Sequence, residues 1–127
     1  MRRILFFALM TLGVLGVSAT AGTETKPYHQ YYPNMPGEVL LENDRVVVQK
    51  FVVEPGEWEG VHAHPGNQVY IHIRGGEWSM RRHGKIEDVG TSETGSVGWM
   101  DAIDISEQHE SGNTGDTPIE LVWVTLK

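Results

Sequence analysis

The sequence predicts an all-β domain, a sandwich or a barrel, and three observations carry that prediction. Strand-length apolar stretches recur along the chain from Glu38 onward. Gly, Pro, Asn and Asp cut them at intervals of about 8–12 residues, the spacing of turns in sandwiches and barrels. No segment carries a helical apolar stripe of useful length.

The elements follow in order. Arg45 to Val53 is rich in valine and stops at Glu54-Pro55-Gly56-Glu57. Gly60 to His64 stops at Pro65-Gly66-Asn67, and Gln68 to Arg74 at Gly75-Gly76. Glu77 to Arg82 turns at His83-Gly84-Lys85 into Ile86 to Val89, and Thr91 to Ser96 reads as a loop. Gln108 to Asn113 turns at Thr114-Gly115-Asp116-Thr117-Pro118, and Ile119 to Leu126 closes the chain. Each stop contains a residue that favours a turn or cannot donate to a ladder.

The beginning reads differently. Met1-Arg2-Arg3 is basic, Ile4 to Val17 is almost purely apolar, and Ser18-Ala19-Thr20-Ala21 is small. That order is the pattern of a secretory signal peptide over residues 1–21, with cleavage expected before Gly22. The apolar run is shorter than the ~20 residues of a spanning helix, so no stable membrane anchor is expected. Residues 22–37 hold Pro27, Pro33, Pro36 and three tyrosines and read as an extended arm. The folded domain is expected over 38–127, in a periplasmic or secreted protein.

The net charge is −7, and loss of Arg2 and Arg3 brings it to −9. This balance argues against a nucleic-acid or anionic-membrane partner, which would call for basic patches. No cysteine is present, so no disulfide supports the domain in an oxidising compartment.

The histidines carry the chemistry. His62 and His64 are two apart on an extended segment, so their imidazoles share a face. After the turn, Gln68, Tyr70 and His72 share a face of the next strand. His109 starts a late strand and could complete the set from across a barrel. A metal needs such convergence of lone pairs at about 2.0–2.2 Å on rigid elements. The alternative is a hydrogen-bonded pair in a polar interior without metal.

Here the chain resembles the cupin superfamily. Gly56, five residues, His62-Ala63-His64, three residues, Gln68, six residues and Gly75 follow the spacing of its first motif, with Gln68 where the family has glutamate. Gly98, His109 and Asn113 follow its second motif, with Asp104 and Ser106 where the family has Pro and Gly. The resemblance implies a cupin-type jelly-roll β-barrel with a metal inside. It implies His62, His64 and His109 as ligands and Gln68 at the place of the carboxylate. It also implies a homodimer, as cupins often pair.

A neutral Gln is a weaker ligand than a carboxylate, which disfavours Mg²⁺ and Ca²⁺ and suits a divalent transition metal: Fe, Zn, Ni, Cu or Mn. Tyr70 and His72 are the expected contacts to a small-molecule ligand or substrate, by their place on the face of Gln68. Trp58, Trp78, Trp99 and Trp123 read as core or rim packing, and His29 and His83 as non-catalytic. Asp101 and Asp104 are either orienters of His109 or turn residues. The functional expectation is oxygenation, isomerisation or elimination on a small organic molecule. The rival expectation is a binding module without a catalytic metal.

Overall fold

The computed structural model describes residues 30–32, 35 and 37–127. The expected signal peptide over 1–21, most of the expected arm over 22–37 and His29 lie outside the described residues. Within them are eight strands: β1 (Glu38–Glu42), β2 (Val46–Val53), β3 (Gln68–Arg74), β4 (Gly76–Arg82), β5 (Lys85–Ser92), β6 (Val97–Met100), β7 (Glu110–Asn113) and β8 (Ile119–Leu126). A short 3₁₀ turn spans Ile105–Glu107. Among the described residues no helix is long and apolar enough to cross a membrane.

The strands form two antiparallel sheets, ordered β1-β2-β8-β3-β6 and β5-β4-β7. The sheets are not closed onto one another by hydrogen bonds, so the jelly roll is a two-sheet sandwich with a cavity between the layers. Tight turns set the corners. His83 and Gly84 take φ of 50° and 77°, which folds β4 directly onto β5. Gly75 lies so close to the Ser92 carbonyl that a Cβ would collide with it, and there the chain leaves one sheet for the other.

Alternation decides what each strand buries. In β2, Val47, Gln49, Phe51 and Val53 face inward, and in β8 Ile119, Leu121, Trp123 and Thr125 do. The β2–β8 register places Gln49 opposite Trp123 and Phe51 opposite Leu121. The Phe51 and Trp123 rings meet at 4.5 Å. Full burial of a side chain of this size contributes roughly 1.5–3 kcal/mol. Tyr32 and Met35 complete the core, with Tyr32 edge-on to Trp123 at 5.4 Å. The described part of residues 22–37 thus packs on the chain's own core.

Three local readings differ from expectation. Gly60 to His64 is extended but forms only isolated bridges, His62 to His109 and His64 to Ile103, because Gly60 (φ 95°) and Pro65 interrupt a regular ladder. β5 continues through Ser92 into the segment read as a loop. β6 was hidden because Gly98 breaks its alternation; the Tyr70 ring of β3 lies where a Cβ of Gly98 would stand.

Candidate metal centre

The bridges of the 58–64 segment build the site. His62 exchanges both backbone hydrogen bonds with His109, at 2.8 and 2.9 Å, and His64 does the same with Ile103, at 3.2 and 2.9 Å. Two neighbouring histidines and one from the far segment are thereby brought to one place. His62, His64 and His109 are all buried, and one ligand atom from each lies within 4.8 Å of the others. The Trp123 ring packs beside His62 and His64 at 5.8 and 5.3 Å.

Protonation favours lone pairs at this point. Burial holds His62 down to about 3, and the neighbouring His109 and His64 add to the fall, against a hydrogen bond to Gly60 that raises it. Burial also holds His109 down to about 4, helped by His64 and Arg82, and it lowers His64. All three are neutral at pH 7, the form that binds metal. His62 Nδ1–H donates to the Gly60 carbonyl at 2.8 Å, which leaves Nε2 with its lone pair. His109 Nδ1 is buried without a protein partner. An orphaned imidazole nitrogen beside two oriented ones fits a transition metal of the imidazole-binding kind.

Gln68 is fully buried, and both ends of its amide are engaged. Its Oε1 accepts from His64 Nδ1–H at 3.1 Å, and its Nε2 donates to Thr125 Oγ1 at 2.8 Å, the residue opposite in the β3–β8 register. Thr125 lies 3.4 Å from Tyr32 Oη, which donates to Gln49 Oε1 at 3.0 Å. Donation can run one way along this chain, from His64 through Gln68, Thr125 and Tyr32 to Gln49. An amide suits the second link because that residue must accept on one side and donate on the other; an ionised carboxylate only accepts.

A cavity of about 360 Å³ opens beside the triad. His64 lines it, together with Tyr70, His72, Trp78, Met100 and Trp123, so its wall is mainly apolar and aromatic. Tyr70 and His72 stack edge-on at 5.3 Å, and His72 Nδ1 meets Ser96 Oγ at 3.1 Å. Burial lowers His72 as well. The Trp123 Nε1–H is buried without an acceptor. His83 is exposed in its turn. Asp104 serves turn chemistry, its Oδ1 capping Ser106 N at 2.9 Å, while Asp101 lines the cavity.

Three residues at the site carry little signal in the sequence, and Glu59 is the nearest to the chemistry. Glu59 lines the same cavity, and its Oε2 lies 3.9 Å from His62 Nε2. Burial, with the Glu110 carboxylate nearby, pushes Glu59 up to about 8. Its signal was slight, a lone acid in Trp58-Glu59-Gly60 on a segment with no regular alternation. Thr125 and Tyr32 escaped as well, since neither belongs to a motif.

No protein-family model matches the chain, and no curated protein matches it. Solved structures do. A cupin domain from Bordetella pertussis superposes with a TM-score of 0.60 at 21% identity, over 70% of this chain and 88% of its own. A conserved protein with a double-stranded β-helix domain from Klebsiella pneumoniae gives 0.53 at 24% identity, over 71% and 74%. An RmlC-like cupin family protein from Methanocaldococcus jannaschii gives 0.54 at 16% identity, over 71% and 77%. The chain thus shares the fold of these cupin and double-stranded β-helix proteins, and within that fold three buried histidines could hold a metal ion.

Proposed function

We propose that the protein is an exported cupin that holds a divalent transition metal (Fe, Zn, Ni, Cu or Mn) on His62, His64 and His109 and acts on a small, largely apolar organic molecule. One observation carries the reading: three buried, neutral imidazoles converge within 4.8 Å, and one of them, His64, lines a mainly apolar cavity. When bound, such a metal supplies Lewis acidity or, for iron, oxygen chemistry, which suits isomerisation, elimination or oxygenation.

The chain's own residues divide the remaining work. Trp78, Met100 and Trp123 give the molecule an apolar seat that displaces water. Tyr70 offers a hydroxyl donor, and His72, held by Ser96, can accept or return a proton. The second reading is a binding module without turnover, favoured by the mainly apolar wall, which would hold a ligand without any chemistry. Export and a periplasmic or secreted location rest on the pattern of residues 1–21. A homodimer is supported by the half-exposed row Val39, Leu40 and Leu41 on edge strand β1.

The test starts from folded protein recovered from the exported fraction, because metal loaded in another compartment misleads. A transition metal stoichiometric with the chain is expected. Small aromatic and aliphatic ligands should raise the melting temperature of the metal-loaded protein, and Tyr70→Ala should lose that response. Exported protein that carries no transition metal and melts identically with and without chelator would overturn the proposal. Ligand stabilisation that is indifferent to metal would favour the binding module.

A further inference from the structure

Three neutral imidazoles leave the charge of a dication uncompensated, and Gln68 brings none. Glu59 and Asp101 are the carboxylates on the cavity wall, and only Glu59 is buried, with 10% of its side chain exposed. Its segment is well held. Glu59 N–H donates to the Ser111 carbonyl at 2.9 Å, and Trp58 bridges Gly112 and carries the Arg81 guanidinium 3.7 Å above its ring.

Among the described residues no cation pairs with the Glu59 carboxylate: His62 beside it is neutral, and Arg81 is committed to Glu110 at 2.7 Å. A buried carboxylate without a cation is costly, so such groups are found paired, on metals or, as Glu59 is without an ion, holding a proton that a metal would displace. Its Oε2 stands 3.9 Å from His62 Nε2, the nitrogen left free by the bond to Gly60. Two donors about 2.1 Å from one ion can be at most about 4.2 Å apart, so the pair can share an ion at a wide angle; Glu59 stands outside the 4.8 Å group of the three histidines and closes on the ion by a turn of its side chain.

We infer that Glu59 supplies the carboxylate of the metal site, reaching in from the segment ahead of His62, while Gln68 orients His64 from behind. The inference rests on the metal reading of the histidines. It gives the site one compensating negative charge from an unexpected place in the chain, and it adds an oxygen donor to three nitrogens.

Chelator-stripped full-length protein titrated with Zn²⁺ and with Mn²⁺ tests it, in the wild type, Glu59→Gln, His62→Ala and His83→Ala. Glu59→Gln should weaken binding at least about tenfold, and more for Mn²⁺ than for Zn²⁺, because the harder ion depends more on an oxygen anion. His83→Ala should match the wild type. Wild-type affinity in Glu59→Gln, beside lost affinity in His62→Ala, would overturn this inference and leave the histidine site standing. A wild type that binds neither ion would overturn both. Infrared difference spectra of wild-type protein carrying ¹³C-labelled glutamate need no variant. Metal addition should shift a glutamate carboxylate band, and an unchanged spectrum would also overturn the inference.

Discussion

Replacing Gln68 by glutamate keeps the side chain's shape and reverses its chemistry at a fully buried position. The His64 Nδ1–H at 3.1 Å can still donate to the new carboxylate, but Thr125 Oγ1 at 2.8 Å loses its donor and must turn to donate instead. Tyr32 Oη, 3.4 Å away, then loses the donor that Thr125 supplied. One hydrogen bond in a buried network, together with partial desolvation of a charge, should cost about 1–3 kcal/mol in the metal-free protein at pH 8. Burial raises the new carboxyl above its value in the unfolded chain. The folded state therefore holds the proton more tightly, and the deficit should grow as pH rises through the folded pKa and shrink toward pH 5. A dication on the triad changes the balance. The negative charge behind His64 makes that imidazole a better donor and offsets the ion's charge, so metal affinity should rise about tenfold. Thermal melts of wild type and Gln68→Glu, with chelator and with Mn²⁺ or Zn²⁺, read both effects. A variant destabilised equally in chelator and in metal would refute the proposal that this amide acts on a metal site.

Three further outcomes are expected. Thr125→Val is isosteric but leaves Gln68 Nε2 without its acceptor. It should cost about 1–3 kcal/mol in urea melts and weaken metal binding about tenfold, and unchanged values in both would show that the chain does not hold His64. The chelated protein should lose stability as pH falls below about 6.5, because unfolded histidines take up protons that His62, at about 3, and His109, at about 4, refuse in the fold. A melting temperature flat from about pH 7 to 4.5 would contradict this sign. Mass spectrometry of exported protein should find a chain beginning at Gly22, and a start at Met1 would refute the signal-peptide reading.

Much of the fold was legible because alternation and turn chemistry agreed along β2, β3, β4 and β8. The His-x-His pair was legible because spacing alone places both rings on one side of an extended segment. What stayed hidden depends on strands meeting across the sheet. Tyr32, from a stretch that reads as a loose arm, sits in the core edge-on to Trp123, a contact that no local pattern announces. The Gln68–Thr125 bond follows from the β3–β8 register, which hydrophobic pattern does not specify. Glu59 was illegible for a further reason. Its segment bridges β7 without regular pairing, so no period said which way a carboxylate there would point.

The central claim is that His62, His64 and His109 hold one metal ion, and calorimetric titration of chelator-stripped protein tests it most directly. Wild type and His83→Ala should bind Zn²⁺ or Mn²⁺ with the same affinity, since His83 sits exposed in a turn. His62→Ala, folded as judged by its melt in chelator, should bind roughly 100-fold more weakly or not at all, having lost a ligand. Equal binding by His62→Ala and His83→Ala would contradict the account.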